Sequence, residues 1–204
     1  MAPIIGANFF PQASAGNATI KALIVFAAGF LCRPLGGIFF GYFGDTRGRA
    51  KTLRISILII TISTFLVGVI PSYEEIGLTA PILFILLRLI QGVSIGGEYS
   101  GIMIYLAESA PRNKRGFTTS FAAIGANLGF LLATVTLMLL HFIFSKEAIT
   151  DWAWRLPFLL IGFPGSLIIY YRFKLSESPV YLQLQKKNHL EPIPIISAPL
   201  CQRQ

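Results

Sequence analysis

One long apolar segment carries polar residues where hydrocarbon-like side chains would be expected. Arg88, Gln91 and Glu98 lie in it together with three glycines, between two strongly apolar flanks. A charge at the centre of a membrane-spanning helix costs about 2.5–3.5 kcal/mol on insertion scales, so such a side chain usually faces a protein interior or a watery cavity. The segment is therefore the first candidate for a functional site.

Arg33 is a second base inside an apolar segment. At 1.5 Å per residue, Arg33 and Glu98 lie about 18 Å and about 15 Å from the same membrane side, hence at similar depth. We hypothesise that they form, or alternate in, a buried pair and that helix movement loads or releases a proton on the carboxylate. The alternative is that Arg33 satisfies carbonyl groups freed by a kink at Pro34.

Arg88 is predicted to bind the carboxylate of a solute, because a planar guanidinium can grip both carboxylate oxygens. Gln91 follows one helical turn later and should face the same way. Arg33, Arg88, Gln91 and Glu98 are thus the predicted substrate-binding or proton-coupling residues. The alternative for Arg88 is a structural role, in which it hydrogen-bonds carbonyls of neighbouring helices, and a structural role is also the alternative for Glu98.

A charged turn follows the first apolar segment and contains Gly41, Asp45, Gly48, Arg49 and Lys51. A carboxylate followed closely by three bases and a glycine turn predicts a short hairpin. In it, Asp45 would meet either an arginine or a helix amino terminus. The alternative is a basic loop that only sets topology.

Glycines at four-residue spacing recur in two of the apolar segments. The pairs are Gly92/Gly96, Gly97/Gly101 and Gly125/Gly129. This spacing lets two membrane helices approach closely. Close helix packing is therefore predicted at all three pairs.

Composition determines the elements that must position these residues. Of 204 residues, 54% are apolar and 13% charged, and the apolar ones fall in blocks of about 18–27, as membrane-spanning helices require. The sequence predicts an all-α polytopic membrane protein with five spans, at about residues 19–43, 53–70, 80–106, 117–144 and 154–173. Residues 1–17 are predicted to be an extracytoplasmic loop, 18–174 the helical bundle, and 175–204 a partly disordered cytoplasmic tail.

Basic residues are concentrated in alternate connections between the spans, at 47–54, 112–115 and 172–187. The positive-inside rule places these connections in the cytoplasm, with the amino terminus outside and the carboxyl terminus inside. The net charge of +8 is therefore spread over loops and does not form a nucleic-acid-binding patch. We find no metal-ligand cluster, nucleophile–base set or phosphate loop, so the sequence favours neither an enzyme nor a cofactor.

Four stretches resemble signatures of the major facilitator superfamily. They are Gly41 to Arg49, Arg88-Leu-Ile-Gln91-Gly92, Glu108-Ser-Ala-Pro111 with Arg115-Gly116, and Trp154-Arg155-Leu-Pro157-Phe158. Further phrases, Gly96-Gly97-Glu98-Tyr99 and Glu177-Ser178-Pro179 among them, resemble the metabolite:proton symporters that take up proline and glycine betaine. The resemblance covers helices two to six of a six-helix half, which predicts a truncated amino-terminal half.

The resemblance implies a function: proton-coupled symport of a small zwitterion by alternating access, in a bacterial inner membrane. It also implies that Gly41, Asp45, Gly48 and Arg49 form a cytoplasmic gating loop. Dicarboxylates or other organic acids are alternative substrates, since relatives that carry them share the glycine-glutamate phrase. The alternative function is a non-transporting remnant, or a half-transporter subunit that needs a partner chain.

Overall fold

The computed structural model describes residues 1–11 and 14–186, and these are predominantly helical. Two short 3-10 turns, Arg112–Lys114 and Ala153–Arg155, accompany the α-helices. The α-helices are α1 Ala2–Phe9, α2 Ala15–Leu31, α3 Arg33–Arg47, α4 Arg49–Val69, α5 Tyr73–Ile76, α6 Thr79–Ser109, α7 Arg115–Ile143, α8 Lys146–Asp151, α9 Leu156–Leu160, α10 Gly162–Phe173 and α11 Pro179–Lys186.

Five segments are long and apolar enough to cross a membrane, which confirms the predicted number of spans. They are Gly16–Arg47, Arg49–Val69, Thr79–Ser109, Arg112–Ile143 and Ala153–Phe173. The first consists of α2 and α3, which meet at Cys32 because Pro34, in the first turn of α3, has no backbone N–H to donate. The predicted interruption at Arg33-Pro34 is thus confirmed.

Helix α6 is the centre of the bundle and packs against α2, α3 and α4. Glycines bring it very close to α2 and α3: a Cβ on Gly92 would lie 2.1 Å from the carbonyl oxygen of Gly29, and one on Gly96 would lie 2.0 Å from that of Arg33. Gly97 and Gly101 contact side chains of α3 and α4. Close packing is therefore confirmed at both glycine pairs of α6.

Helix α7 contacts α6, but most of the surface of α7 is exposed. Large apolar side chains such as Phe117 and Phe130 are exposed on it, as expected of a helix that contacts lipid. A Cβ on Gly125 or Gly129 would meet nothing within 4 Å. The prediction of close packing at this third glycine pair is wrong within the described part of the chain, since no described helix covers that face.

The interpretation of residues 1–17 as a loop is wrong for α1, which is helical over Ala2–Phe9. Its Ile5 and Phe9 are fully buried against α2, α4 and α6. The ring of Phe9 stacks on Phe84 at 4.7 Å and meets Trp154 edge-on at 5.8 Å. Buried apolar area gives this short segment the stabilisation that its turn-forming residues do not indicate.

Helix α11 also falls in a region predicted to be a tail. Its first turn packs against the bundle, with Tyr181 and Ser178, the residue preceding the helix, buried. The rest of the predicted tail, from residue 187 onward, lies outside the described residues. We call the end of the bundle that holds Asp45–Lys51, Glu108 and 175–181 the charged end.

Candidate functional site

A cavity of about 70 Å³ lies between α2, α3 and α6, within the membrane-spanning segments. It is large enough for several water molecules, each of which needs roughly 10–15 Å³. Two guanidinium groups and one amide supply its polar groups, and the described lining contains no carboxylate. The lining residues are Phe26, Gly29, Phe30, Arg33, Arg88, Gln91, Gly92 and Ile95.

Arg88 and Gln91 are hydrogen-bonded to each other across one turn of α6. The Nη1 of Arg88 donates to the Oε1 of Gln91 at 3.0 Å, and the Nε2 of Gln91 donates to the hydroxyl of Thr64 on α4 at 3.0 Å. The prediction that both side chains face the same way is confirmed. Gln91 thus holds the guanidinium towards the cavity.

Both arginines of the cavity lie on aromatic rings. The Cζ of Arg88 is 4.2 Å from the ring centre of Phe26, and that of Arg33 is 3.8 Å from the ring centre of Phe30. In each guanidinium, the buried Nε has no hydrogen-bond partner. The rings provide cation–π attraction but accept no strong hydrogen bond. Each Nε–H group therefore remains able to donate a hydrogen bond.

The hypothesised Arg33–Glu98 pair is not formed in this structure. The backbone of Arg33 contacts α6 at Gly96, whereas its side chain lies on Phe30 in the cavity. Glu98 points to another face of α6 and pairs with Arg172 of α10. Similar depth in the membrane is therefore not enough to bring Arg33 and Glu98 together, because the two side chains lie on different sides of α6.

Glu98 is the centre of a second polar cluster. One carboxylate oxygen accepts a hydrogen bond from the Arg172 guanidinium, and the other accepts one from the hydroxyl of Ser56 on α4. The Nη1 of Arg172 also donates to the carbonyl oxygen of Leu53, at 3.2 Å. Ser56 is buried, and the Arg172 and Glu98 side chains are only 12% and 17% exposed, so the ion pair is largely shielded from solvent.

At the charged end, Arg49 joins two carboxylates. Its Nη1 lies 2.6 Å from Asp45, and its Nη2 lies 3.3 Å from Glu108 at the end of α6. The prediction that Asp45 meets an arginine is therefore confirmed by the structure. Gly41 does not reach this contact; Gly44, one turn later, lies against the Arg49 side chain.

The amino terminus of α4 is capped by Glu177, which lies beyond the last predicted span. Its two carboxylate oxygens accept hydrogen bonds from the backbone N–H groups of Ala50 and Lys51, both at 3.1 Å. Gly48 makes room for it: the φ of Gly48 is +111°, and a Cβ there would lie 2.6 Å from the Oε1 of Glu177. A carboxylate at a helix amino terminus is favourable because it meets the positive end of the helix dipole.

The segment that contains Glu177 is tied to the bundle at further points. The hydroxyl of Ser178 donates to Glu108 at 2.5 Å, and the hydroxyl of Tyr105 donates to the carbonyl oxygen of Ser176 at 3.0 Å. We call this set of contacts between 175–181 and the ends of α4 and α6 the clamp. It shares Glu108 with the Asp45–Arg49 contact.

The residues that arrive from α10 and from the segment after it are not predicted from the sequence. The sequence indicates Arg172 only as a loop base, and Glu177 only as part of a family phrase. For Glu177 the phrase itself was the available signal. For Arg172 and Ser56 no local pattern indicates Glu98 as the partner, because all three lie on different helices.

The family model described as sugar (and other) transporter matches residues 4–193. The chain is 46% identical over 183 residues to the glycine betaine/proline/ectoine/pipecolic acid transporter of Dickeya dadantii, an alignment that covers 90% of this chain and 36% of that protein. It is 44% identical over 179 residues to the proline/betaine transporter of Escherichia coli, with 88% and 36% covered.

Solved structures show the same arrangement of helices. The inward open conformation of the xylose transporter from Escherichia coli matches with a TM-score of 0.77 and 22% identity, over 93% of this chain and 46% of that one. The partially occluded inward open conformation of the same transporter matches with a TM-score of 0.78. At this identity the likeness demonstrates the fold alone. The chain spans about a third of the length of the curated relatives it matches.

Proposed function

Because this chain belongs to the sugar (and other) transporter family of the major facilitator superfamily, we propose that it takes part in the proton-coupled uptake of a small carboxylate-bearing zwitterion. The relatives named as proline and betaine transporters support this solute class. The observation that carries the proposal is the cavity inside the spans, with two arginines and no carboxylate in its described lining.

Arg33, Arg88 and Gln91 would hold the carboxylate of the solute. Each guanidinium has an unsatisfied buried Nε, and an anion would also compensate the charges that desolvation makes unfavourable. Charge-assisted hydrogen bonds from guanidinium to carboxylate are short and roughly twice as strong as neutral ones. Phe26 and Phe30 provide an apolar wall for the methylene or methyl groups of the solute.

The gate at the charged end would be formed by the Asp45–Arg49–Glu108 contact, with Gly48 providing the turn. In this fold, alternating access moves one six-helix half against the other around a site near the membrane midplane. Transport would therefore require a second half facing the cavity, either on the same polypeptide or on a partner chain. Gly41, which does not reach the contact, would act through the shape of α3.

A second candidate function is uptake of a dicarboxylate or another organic acid. The presence of two arginines without an acidic partner in the described lining favours it, since a dianion would neutralise both. The third possibility, a non-transporting remnant, predicts no solute binding at all. Competition among solutes distinguishes these three.

Binding to the chain in proteoliposomes, and uptake when a candidate second half is supplied, test the proposal. Labelled proline or glycine betaine should bind, and succinate should compete weakly; strong competition by succinate would favour the dicarboxylate function. Arg88→Ala should abolish binding, because the guanidinium that holds the carboxylate is removed. Arg112→Ala is the matched control, since Arg112 is exposed in the turn before α7. Equal binding by both variants, or none by the unaltered chain, would contradict the proposal.

The predicted orientation needs its own measurement. We propose that the charged end faces the cytoplasm of a bacterial cell and that the amino terminus lies outside, in accordance with the positive-inside rule. A cysteine at the exposed position Asn113 should then be inaccessible to an impermeant maleimide in intact cells. A cysteine at the exposed position Lys146, in the connection after α7, should react.

A further inference from the structure

We infer that the three aromatic rings around Arg88 form a cage for a quaternary ammonium group, and that this group takes the place of the guanidinium when a solute binds. The inference deepens the proposed function by naming the class of solute, a carboxylate that carries a quaternary ammonium. It rests on the carboxylate subsite proposed above. It requires a preformed cage, a cation that can leave it, and a solute that supplies both charges.

The cage consists of Phe26 of α2, Phe84 of α6 and Phe158 of α9. The Cζ of Arg88 lies over all three rings, at 4.2, 5.3 and 5.7 Å from their centres. Attraction between a cation and an aromatic face extends to about 6 Å from the ring centre, and cages of such rings bind quaternary ammonium ligands. Phe84 lies one turn from Arg88 on the same helix, but the other two rings come from other helices. The enclosure is therefore a tertiary feature.

Side chains behind the rings hold two of them in place. Phe84 is fully buried and stacks on Phe9 at 4.7 Å. Phe158 meets the fully buried Trp154 edge-on at 6.1 Å. Packing thus fixes the positions of these rings, and a cation that replaces the guanidinium needs to order no new side chain, which lowers the cost of binding.

The guanidinium of Arg88 has few other contacts to keep it in the cage. Its described hydrogen bond goes to the Oε1 of Gln91, and its buried Nε has no partner. Among the described residues, no carboxylate lies within ion-pair distance of it. A carboxylate in the cavity would offer charge-assisted hydrogen bonds, which the rings cannot. The guanidinium then moves towards the solute and leaves the ring faces.

A quaternary ammonium suits the ring faces better than other cations do. It has no N–H group to donate, so it needs no hydrogen-bond acceptor, and the described lining of the cavity contains no carboxylate. Its charge is balanced by the carboxylate of the same solute and attracted by the rings. A secondary ammonium, such as that of proline, keeps two N–H donors that the rings satisfy poorly. The cage therefore favours the quaternary solute.

The test compares two solutes of the same shape, one with and one without the positive charge. Glycine betaine has a quaternary nitrogen, and in tert-butylacetate a carbon atom replaces that nitrogen while the carboxylate is retained. Isothermal titration calorimetry of the full chain in lipid nanodiscs at neutral pH gives a Kd for each. Phe26 is then replaced by trifluorophenylalanine, which keeps the shape of the ring but withdraws electron density from its face.

The readout is the ratio of the two Kd values. Fluorination also weakens the contact of Arg88 with the ring before the solute binds, but that loss changes the affinity for both solutes equally and cancels in the ratio. The affinity for glycine betaine relative to tert-butylacetate should fall about tenfold, because only glycine betaine brings a cation to the ring. The same replacement at Phe158 should also lower it. Phe130, 74% exposed on α7, is the matched control, and its fluorination should leave the ratio unchanged.

An unchanged ratio in both cage variants would overturn the inference, since the guanidinium would then keep its place on the rings. Binding of tert-butylacetate by the same variants shows that they are folded. In that case, binding of both solutes that is lost in Arg88→Ala would still support the carboxylate subsite of the proposed function. Failure of the unaltered chain to bind either solute would contradict both the proposed function and the cage.

Discussion

Substitution of Gly96 by alanine tests the closest helix contact in the bundle. A Cβ at this position would lie 2.0 Å from the carbonyl oxygen of Arg33, whereas ordinary van der Waals contact begins at 3.4 Å. The obstacle is backbone rather than a flexible side chain. Helices α3 and α6 must therefore move apart by more than about 1 Å, a gap that forfeits a quarter to a half of each contact energy.

The cost of this separation can be bounded. Overpacking a well-packed interior typically costs about 1–3 kcal/mol, and the rigid backbone on both sides places Gly96→Ala in the upper part of that range. For a chain of this length, each kcal/mol shifts Tm by about 2–4 °C. A decrease of about 4–12 °C is therefore expected, together with loss of the cavity geometry next to Arg33.

Thermal unfolding in detergent, followed by size-exclusion chromatography of the remaining folded protein, provides the measurement. Gly125→Ala is the matched control: it is also a glycine inside a long helix, but its Cβ would meet nothing within 4 Å. Its free energy of unfolding should decrease by no more than the roughly 0.5 kcal/mol typical of sites away from packed features. Equal shifts for the two variants would refute the close approach of α3 and α6.

Further substitutions probe the cap, the cavity and the buried aromatic cluster. Glu177→Gln should lower the stability by about 0.5–2 kcal/mol, because α4 loses a charged cap, while Glu74→Gln, at an exposed position, should not; thermal unfolding measures both. Arg88→Lys should weaken binding of labelled proline at least about tenfold, since an ammonium cannot replace a planar fork, and unchanged affinity would argue against the carboxylate subsite. Trp154→Ala should cost about 3–5 kcal/mol, as truncation of a fully buried aromatic side chain does, whereas Trp152→Ala, at a side chain 49% exposed, should cost far less in the same assay.

Much of the architecture was predictable because it depends on local composition. Long apolar blocks specify spans regardless of what they pack against, since lipid requires a helix that satisfies its own backbone. Pro34 predicted the division between α2 and α3 for the same local reason. It was also predictable that the side chains of Arg88 and Gln91 point the same way, because residues three apart in a helix are neighbours.

The predictions that were wrong depend on partners distant in the chain. Helix α1 is short and marginal by itself, and its burial against Phe84 and Trp154 is what stabilises it. Gly92 and Gly125 are each followed by a second glycine four residues later, yet only Gly92 has a helix packed against it in the described structure. Spacing indicates that a close contact is possible, whereas the contact itself requires a second helix.

The amino-acid sequence by itself determined five membrane spans, the family resemblance and the presence of ionisable groups at membrane depth. Only the tertiary structure decided how those groups are distributed: Arg33 and Arg88 line one cavity, and Glu98 pairs with Arg172. The reason is geometric. Depth follows from counting residues along a helix. The direction in which a side chain points identifies its partner only when the positions of the neighbouring helices are known.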